Sequence, residues 1–203
     1  MSLKVMKESE GQMAVIMARK TVDVEARGAP GGDLDFPSSF QEKRGVFVTL
    51  DTYPEHELRG CVGYPDPVYP LGVALVKAAE AACHDPRFGS LNEKELDGIV
   101  VEVSVLTVPE EIKIRDRKQL HTMVRIGTDG LIIERGPYRG LLLPQVPVEW
   151  GWDAHTFLEQ LCLKAGLTPD RWLDHSSRIF RFQAEIFAEE SPRGRVRRKD
   201  LKG

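Results

Sequence analysis

A cationic side chain and a thiol stand two positions apart in the segment Arg59-Gly60-Cys61-Val62-Gly63. Residues two apart in a strand point to the same face, so Arg59 and Cys61 are predicted to share one side of a sheet. A nearby cation lowers the pKa of a thiol and favours the nucleophilic thiolate, and a guanidinium can hold a carboxylate or phosphate with two hydrogen bonds. Gly60 and Gly63 permit close approach of a backbone or ligand. These residues predict a site for an anionic ligand, with Cys61 as a candidate catalytic nucleophile.

Cys61 also has a purely structural interpretation. A free cysteine is most often a small buried core residue, and Arg59 would then pair with a carboxylate such as Glu102. Glu102 and Ser104 share one face of a predicted strand, where they either line the site or face water. Both interpretations of Cys61 and Glu102 stay open at this stage.

Two further segments carry polar side chains next to chain turns. Asp85-Pro86-Arg87 ends an alanine-rich helix, and either Arg87 reaches the same site or the segment is a simple helix stop. Gln145 and Glu149 follow an apolar strand in a loop with two tryptophans, which suits a pocket wall. Glu149 is a candidate general base; otherwise it is a surface carboxylate beside tryptophans that pack. We predict that six residues converge on one concave surface: Arg59, Cys61, Asp85, Arg87, Gln145 and Glu149.

Cysteine and histidine spacing excludes several kinds of site. The three cysteines form no Cys-x-x-Cys pair, which excludes a disulfide scaffold and suits a reducing cytoplasm. Cys83 and Cys162 are predicted to be buried packing residues inside helices, bonded neither to each other nor to a metal. The chain has no glycine-rich nucleotide loop and no Gly-x-Ser-x-Gly, so nucleotide-binding and hydrolase functions lack support. We expect no cofactor and no metal.

Charge and hydropathy limit the classes of partner that the protein can have. The net charge is −3, but residues 191–203 carry six basic residues and one acidic residue, so residues 1–190 carry −8. An acidic body is not expected to bind nucleic acid, and the basic stretch 191–203 is predicted to be a flexible tail. No stretch approaches about 18 uncharged apolar residues, and the N-terminus is too polar for a secretory signal. We therefore expect a cytoplasmic protein without a membrane partner.

The order of predicted elements indicates an α+β fold with mostly antiparallel sheets. Hydrophobic periodicity and Pro/Gly breaks predict these elements: helices at 9–26, 69–83 and 153–165, a short helix near 117–122, and strands at 45–50, 57–63, 99–108 and 179–190. Four strands are expected to form one sheet covered by helices 69–83 and 153–165. Short apolar runs at 124–126, 131–133 and 141–143 predict a meander that forms a second, smaller sheet.

Eight short motifs of the sequence, the last two being Phe157-Leu158 and Leu161–Leu167, resemble the AMMECR family, which takes its name from a human contiguous-deletion syndrome. The first, Leu58-Arg59-Gly60-Cys61-Val62-Gly63, is similar to the family's LRGCIG signature. The others follow in the family's order over about residues 40–190 and include Phe47–Leu50, Asp85–Phe88, Glu102–Leu106, Gly140–Val146 and Gly151–Asp153. Because several such motifs occur in sequence, the chain is identified as a member of this family.

The resemblance implies two α+β subdomains within residues 9–190, with a cleft between them. The larger is expected to include about 45–108 and 150–190 and the smaller about 110–145, with helix 9–26 as a candidate addition to the smaller. It implies no particular reaction. Microbial relatives that are fused to, or encoded beside, Memo-like and radical-SAM proteins imply a link to those pathways. Two functions therefore remain: an enzyme-like protein binding an anionic small molecule or modified residue near Arg59 and Cys61, or a non-catalytic module binding an acidic peptide or partner protein.

Overall fold

A computed structural model describes residues 6–30 and 35–199 as two compact units. The first unit contains the described residues up to Thr107 together with those from Glu185 onward, and the second contains Val108–Ala184. The chain therefore leaves the first unit once and returns to it near its C-terminal end. Among the described residues, no helix has both the length and the apolar character needed to cross a membrane.

Four α-helices, four 3₁₀ helices and nine strands make up the described chain. The α-helices are α1 (Glu8–Ala26), α2 (Leu71–Cys83), α3 (Val146–Glu149) and α4 (Ala154–Lys164). The 3₁₀ helices span Ser38–Gln41, Glu93–Gly98, Arg117–Met123 and Pro169–Leu173. The strands are β1 (Val46–Thr52), β2 (Leu58–Tyr64), β3 (Ile99–Leu106), β4 (Glu110–Glu111), β5 (Gly130–Arg135), β6 (Tyr138–Leu142), β7 (Arg178–Phe182), β8 (Ala184–Glu189) and β9 (Val196–Lys199).

The first unit is a five-stranded sheet, ordered β2-β1-β3-β8-β9, with α1 and α2 in its hydrophobic core. β1 pairs antiparallel with both β2 and β3. Alternate residues of β1, such as Val48 and Leu50, are fully buried, as the period of two in a half-buried strand requires. Small residues of α2, such as Ala78 and Ala82, let that helix lie close to the sheet.

The second unit is a four-stranded sheet, ordered β4-β7-β5-β6, with α4 in its core. Phe157 and Leu161 of α4 and Ile133 of β5 are fully buried there. The strand predicted at 124–126 is wrong, because a turn begins at Arg125. The backbone N–H of Arg125 donates to the buried carboxylate of Asp129. The run at 131–133 and the first two residues of the run at 141–143 fall in strands, where they form the hairpin β5–β6.

The α+β class and the antiparallel sheets are confirmed, but three long-range assignments differ from the sequence prediction. The predicted strand 179–190 is two strands, β7 and β8, which lie in different sheets. Consequently α4 and residues 150–184 belong to the second unit, while helix α1 belongs to the first. A strand that changes sheet keeps its period of two, so periodicity could not reveal the break at Gln183.

The basic stretch predicted to be a flexible tail is ordered as far as Lys199. Its residues Val196–Lys199 form β9, which pairs antiparallel with β8. Arg198 donates to the Glu185 carboxylate and to the backbone carbonyl of Met6. The prediction of a flexible tail is therefore wrong for β9, because the charge of residues 191–203 does not indicate which distant segments they contact. Residues 1–5, 31–34 and 200–203 lie outside the described part.

Candidate functional site

The Asp85 carboxylate closes the free edge of β2 at Cys61. Asp85 is buried, and its Oδ2 accepts a hydrogen bond of 2.9 Å from the backbone N–H of Cys61. Arg87 donates to both carboxylate oxygens, at 3.0 Å from Nε and 2.6 Å from Nη2, and also donates to the Cys61 carbonyl at 3.4 Å. Edge strands expose unpaired backbone groups, and here two side chains take the place of a neighbouring strand.

These hydrogen bonds keep Asp85 ionised. The Arg87 guanidinium, followed by the backbone N–H groups of Cys61 and Arg87, holds the pKa of Asp85 well below its usual range despite burial. The segment after α2 is therefore attached to the middle of β2, the strand that carries the LRGC motif. Two motifs that are 24 residues apart in sequence thus form one structural unit. This is the helix-stop interpretation of Asp85 with an added role in holding β2.

A β-bulge turns Arg59 away from Cys61. Leu50 pairs with Gly60 and Asp51 with Leu58, so Arg59 is the extra residue in β2. Bulges re-aim side chains. The Arg59 guanidinium binds the Glu95 carboxylate with hydrogen bonds of 2.7 and 3.2 Å, and its charge acts on the thiol of Cys83 at the end of α2.

Joint action of Arg59 and Cys61 on an anionic ligand stays a prediction. Arg59 pairs with a carboxylate, as the structural interpretation requires, but the partner is Glu95 rather than Glu102. Glu102 instead accepts a hydrogen bond from Lys199 at 2.6 Å. The Nη1 atom of Arg59 is buried and has no hydrogen-bond partner among the described residues.

The Cys61 thiol lies in a row of side chains that crosses the first sheet. Thr49 is paired with Cys61 on one side and with Glu102 on the other. The Thr49 hydroxyl lies 3.4 Å from the Cys61 sulfur. Burial raises the pKa of the Cys61 thiol, and this outweighs the lowering by the Thr49 hydrogen bond and by Arg87. Cys61 is consequently a protonated thiol at neutral pH.

A second titratable group lies near this row. Burial, and then the charge of Glu102, raise the pKa of the Asp51 carboxyl. The negative charges of Asp85 and Glu102 also raise the pKa of the Cys61 thiol, and Lys199 pairs with the Glu102 carboxylate. The charges around this row therefore favour the thiol form of Cys61 over an activated thiolate.

Gly60 and Gly63 make room for protein rather than for a ligand. A Cβ at Gly60 would lie 2.3 Å from the Ala82 carbonyl oxygen of α2, and one at Gly63 would lie 2.3 Å from the Phe47 ring. Both glycines are therefore required by the close packing of β2 against its neighbours.

Gln145 and Glu149 lie in the second unit, whereas the other predicted site residues lie in the first. Gln145 precedes α3, and its Oε1 is buried without a hydrogen-bond partner among the described residues. Glu149 is exposed at the end of α3. Convergence of these two residues with Arg59 and Cys61 stays a prediction.

Cys83 and Cys162 are fully buried in α2 and α4, which confirms their predicted packing role. Burial raises the pKa of Cys83 to about 12 and that of Cys162 to about 11. All three cysteines are free thiols. Within residues 6–30 and 35–199, no three His, Cys, Asp or Glu side chains are grouped as a metal site requires.

Sequence reasoning missed two residues that control this region, Glu95 and Thr49. Asn92 caps the 3₁₀ helix Glu93–Gly98, and Glu95 bonds back to the Asn92 backbone at 2.9 Å. The Asn-x-x-Glu spacing is a capping-box signature that predicts a helix start here. Nothing in that spacing indicates Arg59 as the partner of Glu95, because the two are 36 residues apart.

Comparison with known proteins places the chain in a family. The AMMECR1 family model matches residues 15–187. Protein MJ0810 of Methanocaldococcus jannaschii is 52% identical over 200 residues, covering 98% of this chain and 100% of that protein. A Thermococcus gammatolerans protein is 52% identical over 205 residues, covering 96% and 98%. The crystal structure of the uncharacterized protein PH0010 from Pyrococcus horikoshii superposes with a TM-score of 0.84 at 47% identity, covering 96% of this chain and 98% of that one. The chain belongs to the AMMECR1 family.

Proposed function

We propose that this chain is a non-catalytic protein-interaction module that binds an acidic, partly apolar segment of a partner protein. The contact surface lies in the first unit, and we call it the Tyr69 surface; it is formed by Tyr64, Val68, Tyr69, Val73 and Lys77. The observation that carries the proposal is that the arginine of the signature and the arginine bonded to its strand each already hold a carboxylate. Arg59 binds Glu95 and Arg87 binds Asp85, while the Cys61 thiol stays protonated.

This state of the signature argues against catalysis at Cys61. A nucleophilic cysteine needs a lowered pKa, usually from an adjacent base or cation. At Cys61 burial acts in the opposite direction. An anionic ligand at Arg59 or Arg87 would also compete with Glu95 or Asp85 for the guanidinium, and Asp85 is almost completely buried.

The Tyr69 surface has the character of a docking site. Val68 and Val73 are 59% and 44% exposed, and Tyr69 is exposed beside them. Tyr69 packs edge-on against Tyr64 with ring centroids 5.7 Å apart, so its ring is held in place. A fixed aromatic ring within an exposed apolar patch is typical of protein-binding surfaces.

Charge near the Tyr69 surface favours an acidic partner. The Lys77 ammonium lies 5.6 Å from the centre of the Tyr69 ring. Lys43 is exposed, and its backbone bridges to Pro70, next to Tyr69. The nearby carboxylates Glu42 and Asp66 are already engaged by other groups. Memo-like and radical-SAM pathway proteins, which the family resemblance suggested, are the first partners to search for such a segment.

The test uses a fluorescein-labelled peptide that alternates glutamate with leucine and phenylalanine, and fluorescence anisotropy as the measurement. We expect binding that weakens about tenfold in Tyr69→Ala, because interface tyrosines carry a large share of binding energy, and that also weakens in Lys77→Gln. Ile16→Ala is the matched control, since Ile16 is an exposed apolar residue on α1. Equal binding by the three variants, or equal binding of a peptide with glutamine in place of glutamate, would contradict the proposal.

An enzyme-like role at Cys61 is the second candidate. The observation that favours it is Arg87, which is half exposed beside the Cys61 carbonyl and could meet an anionic substrate. The alkylation experiment in the Discussion separates this role from a binding module.

A further inference from the structure

We infer that the second unit carries a separate docking site for an arginine side chain on a basic segment of a partner protein. The site is the Trp150 platform, formed by the stacked indoles of Trp150 and Trp152 and flanked in sequence by the exposed residues Glu149 and Asp153. It does not depend on the Tyr69 surface or on the proposed function.

The backbone holds the two indoles together. α3 ends in a Schellman motif, in which the Gly151 N–H donates to the Val148 carbonyl at 3.2 Å and the Trp152 N–H to the Pro147 carbonyl at 2.8 Å. Gly151 has φ +63°, the left-handed conformation this motif needs and glycine adopts most easily. The rings of Trp150 and Trp152 then stack with centroids 6.1 Å apart and an interplanar angle of 19°.

Both ends of this segment are anchored. Pro147 is buried, and Trp152 packs partly against the core of the second unit. Immediately after Trp152, Asp153 caps α4, accepting a hydrogen bond of 2.7 Å from the Thr156 N–H. The platform is therefore rigid before any partner arrives, which lowers the entropy that binding would cost.

Exposure of Trp150 is the observation that calls for a partner. Its side chain is 69% exposed, the largest exposed fraction among the large hydrophobic residues of the described chain. Val148, two residues earlier, is 47% exposed. Tryptophan is the residue type that gains most from burial at interfaces, so a fixed and exposed indole pair indicates a docking site.

The charges beside the platform select a cation. Glu149 and Asp153 are both exposed, and hydrogen bonds from Thr156 lower the pKa of Asp153, which keeps it ionised. Tryptophan faces attract cations more strongly than other aromatic rings, and arginine both stacks on an indole and bonds carboxylates with its planar fork. In β9, Arg198 is held by the buried Glu185 carboxylate and Arg197 pairs with Glu190 at the surface, so the occupant we infer is a basic segment of a partner protein rather than β9 of a second copy.

The test is a titration of ¹⁵N-labelled protein with a short acetylated peptide that alternates arginine and glycine. Each tryptophan has one indole N–H signal, and Trp172, which is 2% exposed, is an internal reference. We expect the Trp150 and Trp152 signals to move while that of Trp172 stays in place. A peptide with citrulline in place of arginine has the same shape without the charge, and we expect it to bind about tenfold more weakly.

Variants separate the platform from general charge attraction. Trp150→Ala is expected to abolish most binding, whereas Tyr138→Ala, which removes another exposed aromatic ring of the same unit, should leave it unchanged. Glu149→Gln combined with Asp153→Asn keeps the helix cap, because asparagine caps as well as aspartate, and should weaken binding. Tyr69→Ala should bind the arginine peptide normally, which distinguishes this site from the Tyr69 surface. Unmoved Trp150 signals, equal binding of the citrulline peptide, or full binding by Trp150→Ala would overturn the inference.

Discussion

At the scale of single residues, the signature strand is governed by which charged side chains find partners. Asp85 accepts four hydrogen bonds from Cys61 and Arg87, and Arg59 is held by Glu95. Cys61 lies between these groups with its sulfur near Thr49. The residue types of this motif suggest nucleophilic chemistry. Its observed contacts, however, hold the edge strand β2 to the C-terminal end of α2.

Alkylation of Cys61 tests whether the thiol is activated. Because burial raises its pKa, we expect iodoacetamide at neutral pH to modify Cys61 about tenfold more slowly than N-acetylcysteine. The rate should keep rising through alkaline pH as thiolate forms. Thr49→Val removes the hydrogen bond that lowers the pKa, so it should slow the reaction further. Mass spectrometry gives the rates, and the fully buried Cys83 and Cys162 are internal controls; modification of Cys61 faster than of the free amino acid would favour the enzyme-like candidate.

Asp85→Asn tests the clamp at the edge of β2. We expect it to lower the free energy of unfolding by about 2–3 kcal/mol at neutral pH, because the lost bonds are to a charged acceptor. Since the pKa of Asp85 is lowered in the folded state, its contribution is present above the ordinary aspartate pKa of about 4 and is lost as pH falls.

Urea unfolding measured at neutral and acidic pH checks this sign. The difference between wild type and Asp85→Asn should therefore shrink in acid. Asp116→Asn is the control, because Asp116 also accepts a backbone N–H but asparagine can replace it as a cap. A constant difference across this range would mean that the charge of Asp85 is not what stabilises the fold.

At the scale of elements, the contact between β2 and α2 depends on the absence of a side chain at Gly60. The bulge at Arg59 and the close approach of the Ala82 carbonyl occur at neighbouring residues of β2. The strand can therefore lie against the C-terminal end of α2, where the Asp85 segment begins.

Gly60→Ala is expected to destabilise the protein by about 2 kcal/mol, since its Cβ would meet backbone that cannot move away cheaply. Gly89→Ala is the matched control, because nothing lies within 4 Å of a Cβ at Gly89, and it should leave stability unchanged or slightly raised. Thermal unfolding followed by circular dichroism measures both. Equal melting temperatures for the two variants would show that α2 can shift away from β2.

At the scale of the whole molecule, the first unit is completed by the end of the chain. Glu185 of β8 is buried and accepts hydrogen bonds from the Met6 N–H, from Arg44 and from Arg198. Segments from the two ends of the described chain therefore meet at one carboxylate. The second unit lies within the sequence between two parts of the first.

Arg198→Ala tests this closure. The Arg198 guanidinium bonds Glu185 at 3.1 Å and the Met6 carbonyl at 2.9 Å, and lies 4.5 Å from the centre of the Phe187 ring. Its loss leaves a buried carboxylate short of a partner, so we expect a cost of about 2 kcal/mol. Arg197→Ala, which removes an exposed arginine paired with Glu190, should cost less than about 0.5 kcal/mol.

Hydrogen exchange locates the effect of Arg198→Ala. We expect faster exchange at the Met6 amide and in β8 of the first unit, with β5 of the second unit unchanged. Similar exchange in both arginine variants would mean that β9 contributes little, as the flexible-tail prediction supposed.

The sequence by itself determined those features that depend only on residues close together in the chain, above all the helices and strands. Periods of 2 and 3.6 and the Pro and Gly breaks predicted β1, β3 and α2 close to their observed bounds, because an element's own residues create its apolar face. The α+β class, the burial of Cys83 and Cys162 and the AMMECR resemblance came from the same information. Of the candidate site, the sequence located Cys61 and the Asp85 segment but not their contacts.

Only the tertiary structure decided where side chains with long-range partners point. One extra residue in β2 turns Arg59 toward Glu95, and a bulge of this kind leaves no mark in hydrophobic periodicity. The change of sheet between β7 and β8 and the pairing of β9 depend on which strand lies alongside, and strands of the same period can pair in either sheet. Such choices are made by hydrogen bonds and packing between distant segments, so they become fixed only when the chain is folded.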